Sequence, residues 1–244
     1  MPTDLARRVA SEALGTALLL AIVVGSGIMG ERLAGGNMAI ALLANTLATG
    51  AGLVALILML GSISGAHFNP VVSMAEAVRG GLRWRDVPPY IGAQLSGAFV
   101  GVAAAHVMFD APIFSASQHV RAGSGQLVAE FIATFGLLAT IWGTARSRPT
   151  AVPFAVGAYI TAAYWFTSST SFANPAVTLA RAASDTFAGI RPADAPGFIA
   201  AQLLGAAAAT ATFGWLLPLG KSRAQVAQPE QVGETTAETR RDAA

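Results

Sequence analysis

Two stretches hold the polar chemistry of this chain: Ser64-Gly65-Ala66-His67-Phe68-Asn69-Pro70-Val71-Val72-Ser73 and Ser171-Phe172-Ala173-Asn174-Pro175-Ala176-Val177-Thr178-Leu179-Ala180. Each puts an Asn-Pro pair, in Asn69-Pro70-Val71 and Asn174-Pro175-Ala176, at the head of a run that reads as helix. Asn is a strong N-cap, and Pro suits the first helical position because its missing N–H has no partner there. An asparagine so placed can offer its side-chain amide to a passing oxygen while its carbonyl is held by backbone N–H groups. The helix N-terminus behind it concentrates partial positive charge, which repels cations, a hopping proton included. This is chemistry of passage rather than of reaction. No nucleophile–base set, phosphate-binding glycine loop or carboxylate–histidine cluster at metal-ligand spacing accompanies it, so no enzyme activity, metal or cofactor is expected. Cysteine is absent, which excludes disulfides and thiol chemistry.

The elements that must position these boxes are membrane spans. The chain has 244 residues and is 54% hydrophobic but only 11% charged, against about 25% for a soluble domain. Apolar runs place six full spans at about Val9–Met29, Met38–Leu60, Pro89–Phe109, Ser124–Ala145, Ala151–Ser168 and Ala195–Leu217. The first follows Arg7-Arg8 like a signal segment, yet it carries Glu12 and no clear cleavage site and reads as a retained span. The boxes fall between spans two and three and between spans five and six. From Asn69 to Arg79 is about 11 residues, or about 16 Å, roughly half of a hydrocarbon core about 30 Å thick. Two such half-helices meeting at their Asn-Pro ends make one crossing. The abundant Gly and Ala suit close helix packing. A net charge of +2 with basic residues scattered over loops offers no nucleic-acid face; the lipid bilayer is the expected surrounding.

The halves repeat. Ala10-Ser11-Glu12-Ala13-Leu14-Gly15-Thr16 in span one answers Ala129-Glu130-Phe131-Ile132-Ala133-Thr134 in span four, both with Glu-x-x-x-Thr. Tyr90-Ile91-Gly92-Ala93-Gln94 in span three answers Phe198-Ile199-Ala200-Ala201-Gln202 in span six. Each half has an odd number of full spans, so the second enters the membrane upside down, and broken segments in matching positions point to a site at the midplane. Six spans put both termini on one side. Of the 15 Lys and Arg residues only Arg32, Arg121, Arg181 and Arg191 then lie opposite the termini, a bias that favours cytoplasmic termini in the inner membrane. The expected class is all-α: six transmembrane helices plus two re-entrant half-helices in an inverted repeat. The channel domain covers 1–217, with repeats at about 5–110 and 122–217, and a polar, disordered cytoplasmic tail covers 218–244.

The paired Asn-Pro boxes, the Glu-x-x-x-Thr pairs and the glutamines of spans three and six resemble those of the major intrinsic protein family, the aquaporins and aquaglyceroporins. The resemblance covers about residues 5–217. It implies a homotetramer with one pore per subunit, carrying water or small neutral solutes down their gradient. The first box ends in Val71 where the family usually has Ala, a mild departure. Most members carry Arg directly after the second Asn-Pro-Ala, and here that place holds Val177. The family's usual spacing assigns the other outer-constriction positions to Thr49, Ala162 and Ser171. A filter of Thr49, Ala162, Ser171 and Val177 has no aromatic and no cation and reads as wide and weakly polar. It resembles that of the bacterial members associated with arsenic resistance. The cargo so implied is arsenous acid and related neutral metalloids, glycerol and water.

Other polar residues admit two readings each. Arg181, four residues after Val177, lies on roughly the same helix face; it either supplies a cation barrier at the mouth or snorkels at the interface. Glu12 and Glu130 are costly inside a span, and their symmetry favours a scaffold that accepts backbone hydrogen bonds from the re-entrant segments over a proton relay. Gln94 and Gln202 read as polar glue between helices. His67 either lines the inner vestibule or packs in its loop, while His106 and His119 read as structural or exposed. Tyr164, Trp165 and Phe166 form an interfacial belt or a pore-wall cluster, the belt being the simpler reading. Two other classes stay open: a gradient-coupled secondary transporter, in which the buried glutamates titrate, and a structural membrane protein with a closed pore.

Overall fold

The computed structural model describes residues 4–218. The expected tail therefore lies outside the described residues, apart from Pro218. Eight α-helices follow in order: α1 (Leu5–Leu33), α2 (Met38–Ser64), α3 (Pro70–Val78), α4 (Val87–Met108), α5 (Ser124–Ser147), α6 (Val152–Phe166), α7 (Pro175–Arg181) and α8 (Ala195–Leu216). Short 3-10 turns, Trp84–Asp86 and Pro149–Ala151, lead into α4 and α6. Among the described residues there is no strand, and the all-helical membrane architecture expected from the sequence is the one observed.

Five helices, α1, α2, α4 with its leading turn, α5 and α8, are long and apolar enough to cross a membrane. The fifth expected span is shorter than the rest. Its α6 has 15 residues, about 22 Å at 1.5 Å per residue, and the 3-10 turn ahead of it adds a further stretch. The half-helices are α3, with 9 residues, and α7, with 7. Neither can cross alone. Each begins at its Asn-Pro pair: Asn69 caps α3 and Asn174 caps α7, both with extended backbone, and the proline takes the first helical position.

Close packing in both halves uses glycine at one equivalent position. A methyl group on Gly97 of α4 would collide with the Ala13 carbonyl of α1, and one on Gly205 of α8 would collide with the Phe131 carbonyl of α5. Only a residue without a side chain lets these backbones approach so closely. One apolar cluster gathers Leu20, Val24, Val102, Phe68 and Phe198, and a second gathers Leu138, Trp142, Ile160 and Val71. Thus Phe68 and Val71, either side of Asn69, key the first box into both clusters. The large apolar side chains left exposed, such as Leu43, Leu47, Leu58, Val100 and Leu204, suit a lipid or subunit contact.

Candidate functional site

The two boxes meet. Asn69 Nδ2 donates to the carbonyl of Ala173 at 2.8 Å, and Asn174 Nδ2 donates to the carbonyl of Phe68 at 2.8 Å. The side-chain oxygens are taken locally. Asn69 Oδ1 accepts from Val71 N at 3.0 Å, and Asn174 Oδ1 accepts from Ala176 N at 3.0 Å and Val177 N at 3.3 Å. An amide nitrogen carries two hydrogens. One is spent on the opposite half, which leaves one per asparagine for a ligand, and both residues line the central cavity.

The segments that deliver the boxes are strained in the same way. Ala66 and Phe68 have φ of 51° and 49°, and Ser171 and Ala173 have φ of 49° and 48°. Left-handed backbone at residues with a Cβ costs about 1–2 kcal/mol each, so something must hold it. Glu12 and Glu130 do. Glu12 Oε1 accepts from Ser64 Oγ at 2.6 Å and His67 N at 3.0 Å; its Oε2 accepts from Phe68 N at 2.7 Å and Gln94 Nε2 at 2.8 Å. Glu130 Oε1 accepts from Phe172 N at 2.8 Å; its Oε2 accepts from Ala173 N at 2.8 Å and Gln202 Nε2 at 2.6 Å. Each glutamine also donates onward to its half-helix, Gln94 to Ser73 Oγ and Gln202 to Thr178 Oγ1, both at 2.9 Å. A fully buried carboxylate is tolerable only with such a set of donors.

A cavity of about 530 Å³ runs past the junction. One end is lined by Arg8, His67, Glu76 and Leu82, the other by Thr49, Tyr164, Ser171, Phe172, Val177 and Arg181. Between them, Leu53, Ile57, Val156 and Ile160 make an apolar wall opposite the asparagines. His67 thus lies on the cavity wall, with Nδ1 3.0 Å from Ser73 Oγ. His106 is buried away from it and bridges the Ile113 carbonyl and Ser184 Oγ.

Of the expected filter set, the structure brings Thr49, Ser171 and Val177 to the cavity and leaves out Ala162, which is exposed on the far side of α6. The cavity face of α6 runs Val152, Val156, Ile160, Tyr164, the i, i+4 row of a helix. Ala162 is two residues, about 200°, off that row. Counting back from Asn174 presumes a fixed length for the connection between α6 and α7, and α6 continues to Phe166. The wall residue is therefore Tyr164, with its hydroxyl 3.4 Å from Thr49 Oγ1, while Trp165 and Phe166 are exposed on the outside of the bundle. Arg181 does not snorkel. It is 2% exposed, its Nε donates to the Ala188 carbonyl, and its guanidinium lies 3.4 Å from the centre of the Phe172 ring. For Tyr164 the sequence leaves the pore wall open beside the simpler belt, and the i, i+4 row decides for the wall; Phe172, whose contacts come from distant segments, is not singled out by any local pattern.

Comparison with known proteins agrees with this architecture. The family model described as major intrinsic protein matches residues 2–167. Aquaglyceroporin AqpS of Rhizobium meliloti (strain 1021) is 55% identical over 227 residues, covering 93% of this chain and 97% of that protein. Probable aquaporin NIP7-1 of Arabidopsis thaliana is 35% identical over 162 residues, covering 63% of this chain and 57% of its own length. The aquaglyceroporin from Plasmodium falciparum shares the fold, with a TM-score of 0.69 at 22% identity over 86% of this chain and 96% of that one. With a family match over most of the chain and a close relative spanning nearly all of it, this protein belongs to the major intrinsic protein family.

Proposed function

We propose that the chain conducts arsenous acid and related neutral metalloids, glycerol and water passively, without chemistry, cofactor or energy coupling. Family membership makes it a membrane channel for small neutral solutes and not an enzyme; the choice of cargo is our reading of the cavity. What supports it most is the central passage itself. Two asparagine amides stand on one wall, and Leu53, Ile57, Val156 and Ile160 stand on the other. A small polyol or arsenous acid, a neutral triol, has hydroxyls for the first wall and a body for the second. Val177 in the place of the family's usual Arg leaves the passage wide at that level. The N-termini of α3 and α7 and the Arg181 cation oppose cations.

We read Asn69, Pro70, Val71, Asn174, Pro175 and Ala176 as the pore boxes, and Thr49, Tyr164, Ser171 and Val177 as the selecting ring. His67 and Arg181 belong to the vestibules, and Glu12, Glu130, Gln94 and Gln202 to the scaffold. The protein sits in the inner membrane as a homotetramer with cytoplasmic termini, which puts the Arg181 end outside. Stopped-flow light scattering on proteoliposomes tests the cargo: fast glycerol or arsenous acid entry without an ion gradient is expected. Water flux alone would overturn the wide-passage reading.

A further inference from the structure

Arg181 is a fully buried cation with no carboxylate within ion-pair distance among the described residues. Its Nε is spent on the Ala188 carbonyl. Its two terminal nitrogens have no acceptor among the described residues, and the residue lines the cavity. A second arginine stands nearby: Arg121 lies 5.0 Å from the centre of the same Phe172 ring. Arg121 has a partner on each of its three nitrogens, donating to the carbonyls of Gly189, Ser169 and Phe187 and to Thr170 Oγ1. The acidic side chain whose field reaches both arginines is Glu130, and its two oxygens are already filled by Phe172 N, Ala173 N and Gln202 Nε2. This end of the cavity thus carries two buried positive charges against one negative charge.

A second observation points to a ligand independently. Ser171 is 3% exposed, lines the cavity beside Phe172, and its hydroxyl has no hydrogen-bond partner among the described residues. A buried hydroxyl without a partner costs about 1–3 kcal/mol. Tyr164 and Thr49 add two more hydroxyls to the same end, held only by their long mutual contact.

We propose that Arg181, Ser171, Tyr164 and Thr49 form a binding site for a small singly charged oxyanion at this end of the cavity. The guanidinium edge gives two parallel N–H donors that match two oxygens of such an anion. The hydroxyls reach the remaining oxygens as donors, and Phe172 and Val177 close the apolar sides. Val177 matters because a longer side chain there would fill the space. The occupant competes with neutral solute for the passage, so the site acts as an anion-sensitive block.

The test is phosphorus NMR line broadening of inorganic phosphate by the purified full chain, in mildly acidic buffer and a detergent without phosphorus. Wild type is expected to broaden the line. Arg181→Gln is expected to lower the apparent affinity about tenfold or more, the worth of one charge-assisted hydrogen bond. Equal broadening by both proteins, or none by wild type, overturns the proposal. Should Arg181→Gln fail to fold, the double variant Ser171→Ala, Tyr164→Phe leaves the backbone contacts in place; it is expected to weaken binding, and unchanged binding by it overturns the site equally. The readout needs no conduction. A protein that binds phosphate but passes no solute overturns the channel reading and leaves the anion site standing.

Discussion

Replacing Glu130 by Gln changes one oxygen to an amide group and tests what holds the second box in place. In the native protein one oxygen faces Phe172 N, and the other faces Ala173 N and Gln202 Nε2. Whichever way the new amide turns, its NH2 meets at least one backbone N–H, so one buried donor is orphaned. That costs about 1–3 kcal/mol. The remaining bonds lose their charge assistance, about 1 kcal/mol each. The sum is about 3–5 kcal/mol, in a segment whose left-handed residues Thr170, Ser171 and Ala173 already resist their conformation. For a chain of this size the midpoint of thermal unfolding should fall by roughly 10 °C. Solute flux should fall with it, because Ala173 carries the carbonyl that holds Asn69. A thermal-shift assay in detergent, paired with glycerol uptake, reads both effects. A variant with native stability and native flux would refute the scaffold argument. A variant that keeps its stability but loses gradient dependence of transport would replace it with proton coupling.

Further substitutions separate the site from the packing that surrounds it. Tyr164→Ala should raise flux of the larger solutes relative to water, whereas Ala162→Leu, on the exposed face of α6, should leave both nearly unchanged; stopped-flow ratios decide. Val177→Arg should cut glycerol flux more than water flux, and equal loss would remove Val177 from the selecting ring. Gly205→Leu must push α8 away from the Phe131 carbonyl, an overpacking cost of about 1–3 kcal/mol or more, seen as loss of folded protein on size-exclusion chromatography. Thr16 and Thr134 bury hydroxyls that have no hydrogen-bond partner among the described residues. Changing either to Val should therefore be neutral or stabilise by up to about 1 kcal/mol in a thermal-shift assay.

Much of this site was legible before the structure, for identifiable reasons. Polar residues inside apolar runs are few, and Glu12, Gln94, Glu130 and Gln202 recur in one order around the Asn-Pro pairs. Odd span numbers per half then force the inversion. Ala162 shows where such reading stops. A helix face is fixed by period, but its phase relative to a distant motif depends on the length of a connection that no residue type announces. Arg181 was placed on the right face by its spacing from Val177. Its burial was not legible, because the Phe172 ring and the Ala188 carbonyl that receive it come from other segments. Arg121 reaches the same ring from the connection between α4 and α5, a contact no local pattern encodes.

The two hydrogen bonds that join the boxes have a consequence for the order of folding. Their partners are 104 and 106 residues apart in sequence, so they are among the most non-local contacts in the chain, and contacts of that kind form late. As the N-terminal half inserts first, Asn69 enters the bilayer with α3 before its acceptor on Ala173 exists. The Phe68 carbonyl likewise waits for Asn174. Until the second half arrives, each is a polar group at membrane depth without its native partner, costly in hydrocarbon. Assembly of the second half therefore carries its own driving force, released at the centre of the molecule. A chain stopped after α4 should lack a settled first box and behave as an open, protease-sensitive intermediate rather than as half a pore.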